Sequence, residues 1–425
     1  MPPPYFPPTI ASYLAKRVAG EPWSIYEPPS RTYSGAVVIP SLAEAANLPQ
    51  TLETLARNPN DLLDRFLILV VVNQRANASS ADKVNNHETL IALPFWKSEY
   101  QLHNLFWVDA ASSGLELPHK QGVGLARKIG LDLALPLLDY SSGDPLLICL
   151  DADTLVQPDY LSAISTHFSQ ASAGGASIPY RHRPAGDEAG QAAIDRYELF
   201  LRTYVLGLQL AGSPYAFHTV GSAMACRASA YVASGGMNRR QAGEDFYFLQ
   251  QVFKTSGVAE LSGTLVHPSP RASDRVPFGT GRSVGDMLAD GEGRLLFYHP
   301  DVFTIVGEWL ACVQDNVEKD GLWLMQLAGR ISPVLSAFLE QAAFSAAWDN
   351  LRRQNADVTK LLSAFHSWFD AFRTMRLIHE LSDNVYPRSA PEQAVATLLK
   401  RAGLAYDDTV AGQLELLRTF QGGWD

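Results

Sequence analysis

The residues with the clearest chemical capacity are Asp151 and Asp153, which follow the apolar run Leu146-Leu147-Ile148-Cys149-Leu150. Two carboxylates two positions apart at the end of a buried strand repel each other and lose hydration unless a cation neutralises them. Magnesium and manganese favour such oxygen ligands and commonly complete their shells with substrate phosphates. The pattern therefore predicts a divalent cation held by Asp153 against a diphosphate. Asp151 then lies nearer a ribose or supports the cation through water. The plain alternative is a solvated turn that ends a strand, and Asp-x-Asp alone does not separate the two.

A second group is Gly235-Gly236-Met237-Asn238 followed by Gly243-Glu244-Asp245. The glycines permit a tight turn or close approach of backbone to ligand. Glu244 and Asp245 open a helix predicted from Phe246 to Phe253. Acids there are stabilised by the helix dipole, but two adjacent carboxylates exceed what a cap requires. One of them can serve as a general base toward an acceptor hydroxyl. His267, after the apolar stretch Leu261 to Val266, is a structural histidine or a further metal ligand. Beyond it, Arg271, Arg275 and Arg282 lie among glycines and serines in the segment 269–282. Guanidinium groups bind phosphate oxygens through paired hydrogen bonds, so this segment is either a phosphate loop or an ordinary exposed one. Arg181-His182-Arg183 and the stripe Tyr197, Phe200 and Tyr204 are candidates for shaping an acceptor site, the stripe reading more simply as core.

The elements that must position these groups are legible from apolar periodicity. Ala36-Val37-Val38-Ile39-Pro40, Phe66 to Val72, Phe106 to Val108 and Leu146 to Leu150 read as strands. Between them, Leu48, Leu52 and Leu55, and then Leu125, Ile129 and Leu133, have helical spacing. Alternating strands and helices predict a mostly parallel α/β sheet, with ligands bound outside the carboxyl ends of its strands. From about residue 300, Val302 to Val313, Leu322 to Phe344, Val358 to Leu381 and Ala394 to Leu404 are helical in pattern, with Pro333 kinking or dividing the second. The organisation expected is a proline-rich arm over 1–34, a catalytic domain over 35–290 and a C-terminal helical region over 291–425.

Bulk properties restrict the function classes. A chain of 425 residues, 47% hydrophobic and 18% charged, has material for a large core. Its net charge of −10 argues against nucleic acid as a partner, which needs a basic surface. The three cysteines have no CxxC spacing, and two of them, in apolar strand-like contexts, read as buried thiols, consistent with a reducing cytoplasm. No secretory leader and no apolar run of about 20 residues is present, so no transmembrane segment is expected and the protein is read as cytoplasmic, with peripheral membrane association left open.

Taken together, the motifs resemble family 2 glycosyltransferases, which have the GT-A fold. The opening Ala36-Val37-Val38-Ile39-Pro40-Ser41 through Glu44, Asn47 and Leu48 is similar to that family's first strand and helix. Gly122-Val123-Gly124-Leu125-Ala126-Arg127-Lys128-Ile129-Gly130 looks like its Gly-x-x-x-Ala-Arg-Asn-x-Gly segment. Asp151-Ala152-Asp153 matches its DxD motif, and Gly235-Gly236 with Glu244-Asp245 its GG…ED element. The four occur in family order over roughly 34–270. The resemblance implies an α/β, Rossmann-like mixed sheet with a C-terminal helical region. It implies that Pro40, Ser41 and Glu44 line the nucleotide pocket, that Arg127 sits near the diphosphate or braces the DxD acids, and that Gly221 and Ser222 floor the donor-sugar site. Asp153, with His267, would hold manganese or magnesium, and Asp245 would be the base of an inverting transfer. The chain departs from the pattern after its second strand, where Asn73-Gln74-Arg75 replaces an acidic pair, leaving Asn73 as the base contact. It departs again at Ala43, where the family has asparagine.

The activity implied is hexosyl transfer from a nucleotide-diphosphate donor to a hydroxyl acceptor, with a homo-oligomer through the C-terminal helices as a further arrangement the pattern allows. Two alternatives stand beside it: a retaining GT-A transferase of the glycosylglycerate-synthase type, and a non-catalytic sugar-nucleotide-binding protein. A nucleotidyltransferase would need a glycine- and lysine-rich loop after the first strand, and Ser41 to Asn47 has none.

Overall fold

The uncharged, β-branched run at Gly35–Ser41 is buried at every position because it lies in the interior of a sheet. In the computed structural model, which describes residues 6–273, 275 and 279–422, the strands in chain order are β1 (Gly35–Ser41), β2 (Phe66–Asn73), β3 (Leu105–Ala110), β4 (Leu146–Cys149), β5 (Leu155–Val156), β6 (Gly175–Ser177), β7 (Met224–Arg227), β8 (Val258–Glu260) and β9 (Val266–His267). Seven of them form one sheet in the order β3-β2-β1-β4-β7-β6-β8, and β5 pairs with β9 separately. β1, β2, β3 and β4 are mutually parallel, whereas β7 runs antiparallel to both β4 and β6. The fold is α/β, a Rossmann-like mixed sheet with further helices toward the C-terminus.

The register determines what meets at the sheet's edge. Ser41 pairs with Val72, so the ends of β1 and β2 are level. β4 ends beside them, and its antiparallel neighbour β7 begins there, with Cys149 opposite Met224. The residues leaving β4, Asp151 and Asp153, therefore emerge near those entering β7, Gly221 and Ser222. Cys149 and Cys226 are buried free thiols on these two strands, and burial pushes Cys149 up to about 12.

The chain divides into two compact units, one of Met1–Gly186, Thr219–Arg282 and Gly422–Asp425, the other of Asp187–His218 and Ser283–Gln421. The division is not sequential. Asp187–His218, which lies within the 35–290 stretch read as one catalytic domain, clusters with the C-terminal helices. The reason is apolar: on the helix Glu188–Leu210, Leu199 and Leu206 belong to the same buried cluster as Val302, Val306, Trp309 and Leu398. Tyr197, Phe200 and Tyr204 pack within this second unit, Phe200 edge-on to Phe297 and Tyr204 against Phe303, so the stripe is core.

Within that unit, Pro333 divides the helical pattern into Gly321–Ile331 and Pro333–Gln341, with Ser332 capping the second. The pattern from Val358 breaks after Trp368, where Asp370 accepts from the Arg373 amide and starts the helix Ala371–Asn384. Among the described residues, no helix is long and apolar enough to cross a membrane.

In the first unit the N-terminal segment contains a helix, Pro8–Lys16, with Ile10 and Tyr13 buried. Asp132, buried on the helix Val123–Ala134, accepts from Tyr13 Oη at 2.9 Å, Tyr231 Oη at 2.7 Å and the Ala19 amide at 2.6 Å, and pairs with Lys128 at 2.8 Å. Further along, Tyr26 stacks on Trp107 with ring centroids 5.2 Å apart.

Candidate active site

The site is built around Arg127. The helix Val123–Ala134 carries this residue into the interior, where its side chain is only 3% exposed. Its Nη2 pairs with Asp151 and its Nη1 with Glu244. A buried guanidinium requires such partners, and a bidentate donor can bind two carboxylates from different elements at once. The acids following β4 and those opening the helix Glu244–Ser256 are thereby joined through one side chain. Gly221 leaves space for this: a Cβ there would overlap the Arg127 guanidinium. Ser222 is buried beside it in sequence.

Glu244 and Asp245 have different surroundings. Glu244 is buried, its carboxylate on Arg127 and its carbonyl accepting from Asn238 Nδ2 at 2.8 Å. Asp245 is partly exposed and accepts from the Phe246 amide at 2.7 Å. Burial raises the Asp245 pKa, with Asp151 adding to the rise, while Arg127 and the backbone amide oppose it. The turn before them depends on Gly235 and Gly236, whose φ values are +88° and +80°. At Gly236 a side chain would also overlap the hydroxyl of Tyr13.

Asp153 faces a second cationic group. Arg271 donates to its Oδ2 from Nε at 3.1 Å and approaches it from Nη2 at 2.9 Å. Arg271 and Arg275 both pair with Glu44, and Arg275 Nη2 also donates to the Ala43 carbonyl at 3.2 Å. Burial and then the charge of Glu44 push the Asp153 pKa up to about 6, with Arg271 acting in the opposite sense. Arg183 Nη2 donates to the Asp153 carbonyl at 3.3 Å. Of the 269–282 segment, Asp274, Val276, Pro277 and Phe278 lie outside the described residues. Arg282 is exposed in the first turn of the helix Thr280–Asp290.

Pro40 and Ser41 are buried at the end of β1, and the Ser41 hydroxyl has no hydrogen-bond partner among the described residues. An orphaned buried hydroxyl at a strand terminus is costly unless a ligand meets it. Asn73 Nδ2 donates to the carbonyls of Ser41 at 3.1 Å and Val71 at 3.0 Å, so its amide nitrogen joins two strands. His267 is brought opposite Leu155 by the β5–β9 pairing, two residues beyond Asp153, and its Nδ1 lies 3.2 Å from the Arg181 carbonyl.

Sequence reasoning missed Asn85 and Asn86. Their side-chain oxygens accept from the amides of Ala45 at 3.0 Å and Ala43 at 2.8 Å, clamping the loop that bears Glu44. They lie on the helix Ser80–Glu99, whose pattern is mixed, with Asn86 and Thr89 buried beside Leu93 and Trp96 while Val84, Ile91 and Phe95 are exposed. Apolar periodicity could not find it.

The donor set suits a hard cation. Among the described residues, no three His, Cys, Asp or Glu side chains form a ready-made metal group. Asp151 and Asp153 nonetheless offer carboxylate oxygens at the rim, with side chains 34% and 22% exposed. One or two carboxylates completed by phosphate and water is the usual way magnesium is held.

No family model matches the chain, and no curated protein matches it. Among solved structures it is similar to residues 1–349 of S. aureus TarS in complex with UDP-GlcNAc, with 12% identity, 91% of each chain covered and a TM-score of 0.39. It spans 43% of the longer S. aureus TarS chain, with a TM-score of 0.37. It is also similar to the mannosyltransferase PcManGT from Pyrobaculum calidifontis in complex with GDP-Man and Mn2+, at 16% identity, covering 85% of this chain and 93% of that one with a TM-score of 0.38. Glucosyl-3-phosphoglycerate synthase from Mycobacterium tuberculosis is similar at 15% identity, covering 69% and 86%, with a TM-score of 0.36.

Proposed function

We propose that the chain is a glycosyltransferase that moves a sugar from a nucleotide-diphosphate donor to a hydroxyl acceptor, with a divalent metal, in a single inverting displacement. The observation that carries this reading is the Arg127 junction, through which Asp151 and the 244–245 acids share one site at the carboxyl edge of the sheet. The Ser41 hydroxyl, buried and without a hydrogen-bond partner among the described residues, supports a ligand at the end of β1.

In this reading Pro40, Ser41 and Asn73 border the nucleotide, and Gly221 and Ser222 floor the sugar. Arg271 and Arg275, with Arg282 further along, face the phosphates. Asp153 would hold manganese or magnesium, with Asp151 beside it and His267 as a further ligand. A bound divalent ion would stabilise negative charge on the departing diphosphate. Asp245 takes the proton of the acceptor hydroxyl as its oxygen attacks the anomeric carbon. A raised pKa makes it a stronger base than an ordinary aspartate. Glu244 holds Arg127 in place.

A thermal-shift screen of UDP- and GDP-sugars, with and without manganese, tests the donor side, because a true donor stabilises the fold by mass action. Product anomeric configuration by NMR then tests the stereochemistry, and a retained anomer overturns the inverting assignment. Failure of every nucleotide sugar to stabilise the chain or be turned over would remove the whole reading.

A further inference from the structure

The mouth of the site is neutralised by its own side chains. One oxygen of Glu44 accepts from both Arg271 and Arg275, and the other accepts from Asn47 Nδ2 at 2.8 Å. The Glu44 side chain is 6% exposed, whereas those of Arg271 and Arg275 remain 31% and 30% exposed. The acid is thus buried beneath two guanidiniums that still face solvent. Guanidinium forks suit phosphate oxygens, which accept paired hydrogen bonds from them.

The two sides of this contact differ in freedom. Glu44 sits on a loop fixed by Asn85 and Asn86 through the amides of Ala45 and Ala43. Both arginines reach it on long side chains from the 271–275 segment, so an exchange of partners needs only those chains to turn. A diphosphate carries more charge and more acceptor oxygens than one carboxylate, so it can take both guanidiniums. A singly charged anion has no such advantage over Glu44.

Resting on the nucleotide-diphosphate reading above, we propose that Glu44 is an internal stand-in for the donor diphosphate. It holds Arg271 and Arg275 in the unliganded protein and competes with the ligand for them. The contact is autoinhibitory toward weak anions. It lowers affinity for a diphosphate by the free energy needed to separate the arginines from the acid.

The test is calorimetric titration of the full chain with inorganic pyrophosphate, UDP and GDP, in chelated buffer and again with manganese. Glu44→Gln keeps the acceptor for Asn47 and removes the competing charge, so pyrophosphate should bind about tenfold more tightly in chelated buffer. Glu44→Asp keeps the charge, withdraws it by one methylene and should shift affinity in the same direction. It serves if the glutamine variant does not fold. A merely structural role for Glu44 predicts the opposite, weaker binding in both variants. Wild-type binding with no gain in either variant overturns the stand-in and leaves the donor reading intact. No binding of any of the three ligands, with or without metal, to wild type overturns both.

Discussion

Gly221 lies against the guanidinium of Arg127 so closely that a single methyl group has no room between them. The glycine and the arginine come from different elements, and the fit between them holds the cation that joins Asp151 to Glu244. Gly221→Ala should displace Arg127 and destabilise the protein by about 1–3 kcal/mol, the usual cost of overpacking. Turnover should fall further than stability accounts for. Denaturant unfolding alongside single-turnover kinetics measures both, and a variant unchanged in both would show that this packing is irrelevant.

The two acids opening the helix Glu244–Ser256 should separate by phenotype. Asp245→Asn should fold normally, bind nucleotide sugar and lose transfer. Glu244→Gln should destabilise the fold by about 1–3 kcal/mol, because it weakens the counter-charge of a buried arginine. Because burial raises the Asp245 pKa, the acidic limb of kcat/KM should lie above the ordinary aspartate range, with activity lost as pH falls through it. Equal loss of donor binding in both variants would refute this division of labour.

Asp153 gives a stability signature in metal-free buffer. Its carboxyl is raised from 3.8 to about 6, first by burial and then by Glu44, so the folded chain binds this proton more tightly than the unfolded one. The stability this contributes is complete below the unfolded value and is lost as pH rises through the folded value. Wild type should therefore lose on the order of 2 kcal/mol relative to Asp153→Asn between about pH 4 and about pH 7. Urea unfolding of both proteins across that range checks it, and parallel curves would refute it.

Ala43 has φ of +54°, in the left-handed region that alanine enters only at a cost. Ala43→Gly should stabilise the protein by about 0.5–1 kcal/mol, and Ala43→Asn should also be tolerated. A rise in Tm is expected, and a fall would mean that the methyl group or the clamp from Asn86 contributes more than the strain removes.

Strands β1, β2 and β4 were legible because each is a continuous apolar run, which only a buried parallel strand or a core helix produces. The acidic pairs at 151–153 and 244–245 drew attention for a different reason, since adjacent carboxylates at an element's end are costly to hold without a counter-charge. The resemblance implied Arg127 near the diphosphate or against the DxD acids, but not its second partner. That Arg127 would also reach Glu244, and that Arg271 would divide between Asp153 and Glu44, depends on side chains far apart in the chain and carries no periodic signal. The departure at Ala43 was legible as a difference of residue type only. Its consequence is conformational, because asparagine is among the few residues at ease with positive φ.

The helix Glu188–Leu210 leaves the ribosome long before Val302, Trp309 and Leu398, the residues that cover its apolar face. During synthesis this helix must wait, its leucines solvated or held by a chaperone, while the remaining strands of the sheet are still being made. A polypeptide ended near residue 290 would keep that helix and lose its cover for good, and insolubility rather than a tidy catalytic fragment is the outcome to expect. Dissecting this protein calls for excising residues 187–218 together with the C-terminal helices, with a bridge between Gly186 and Thr219.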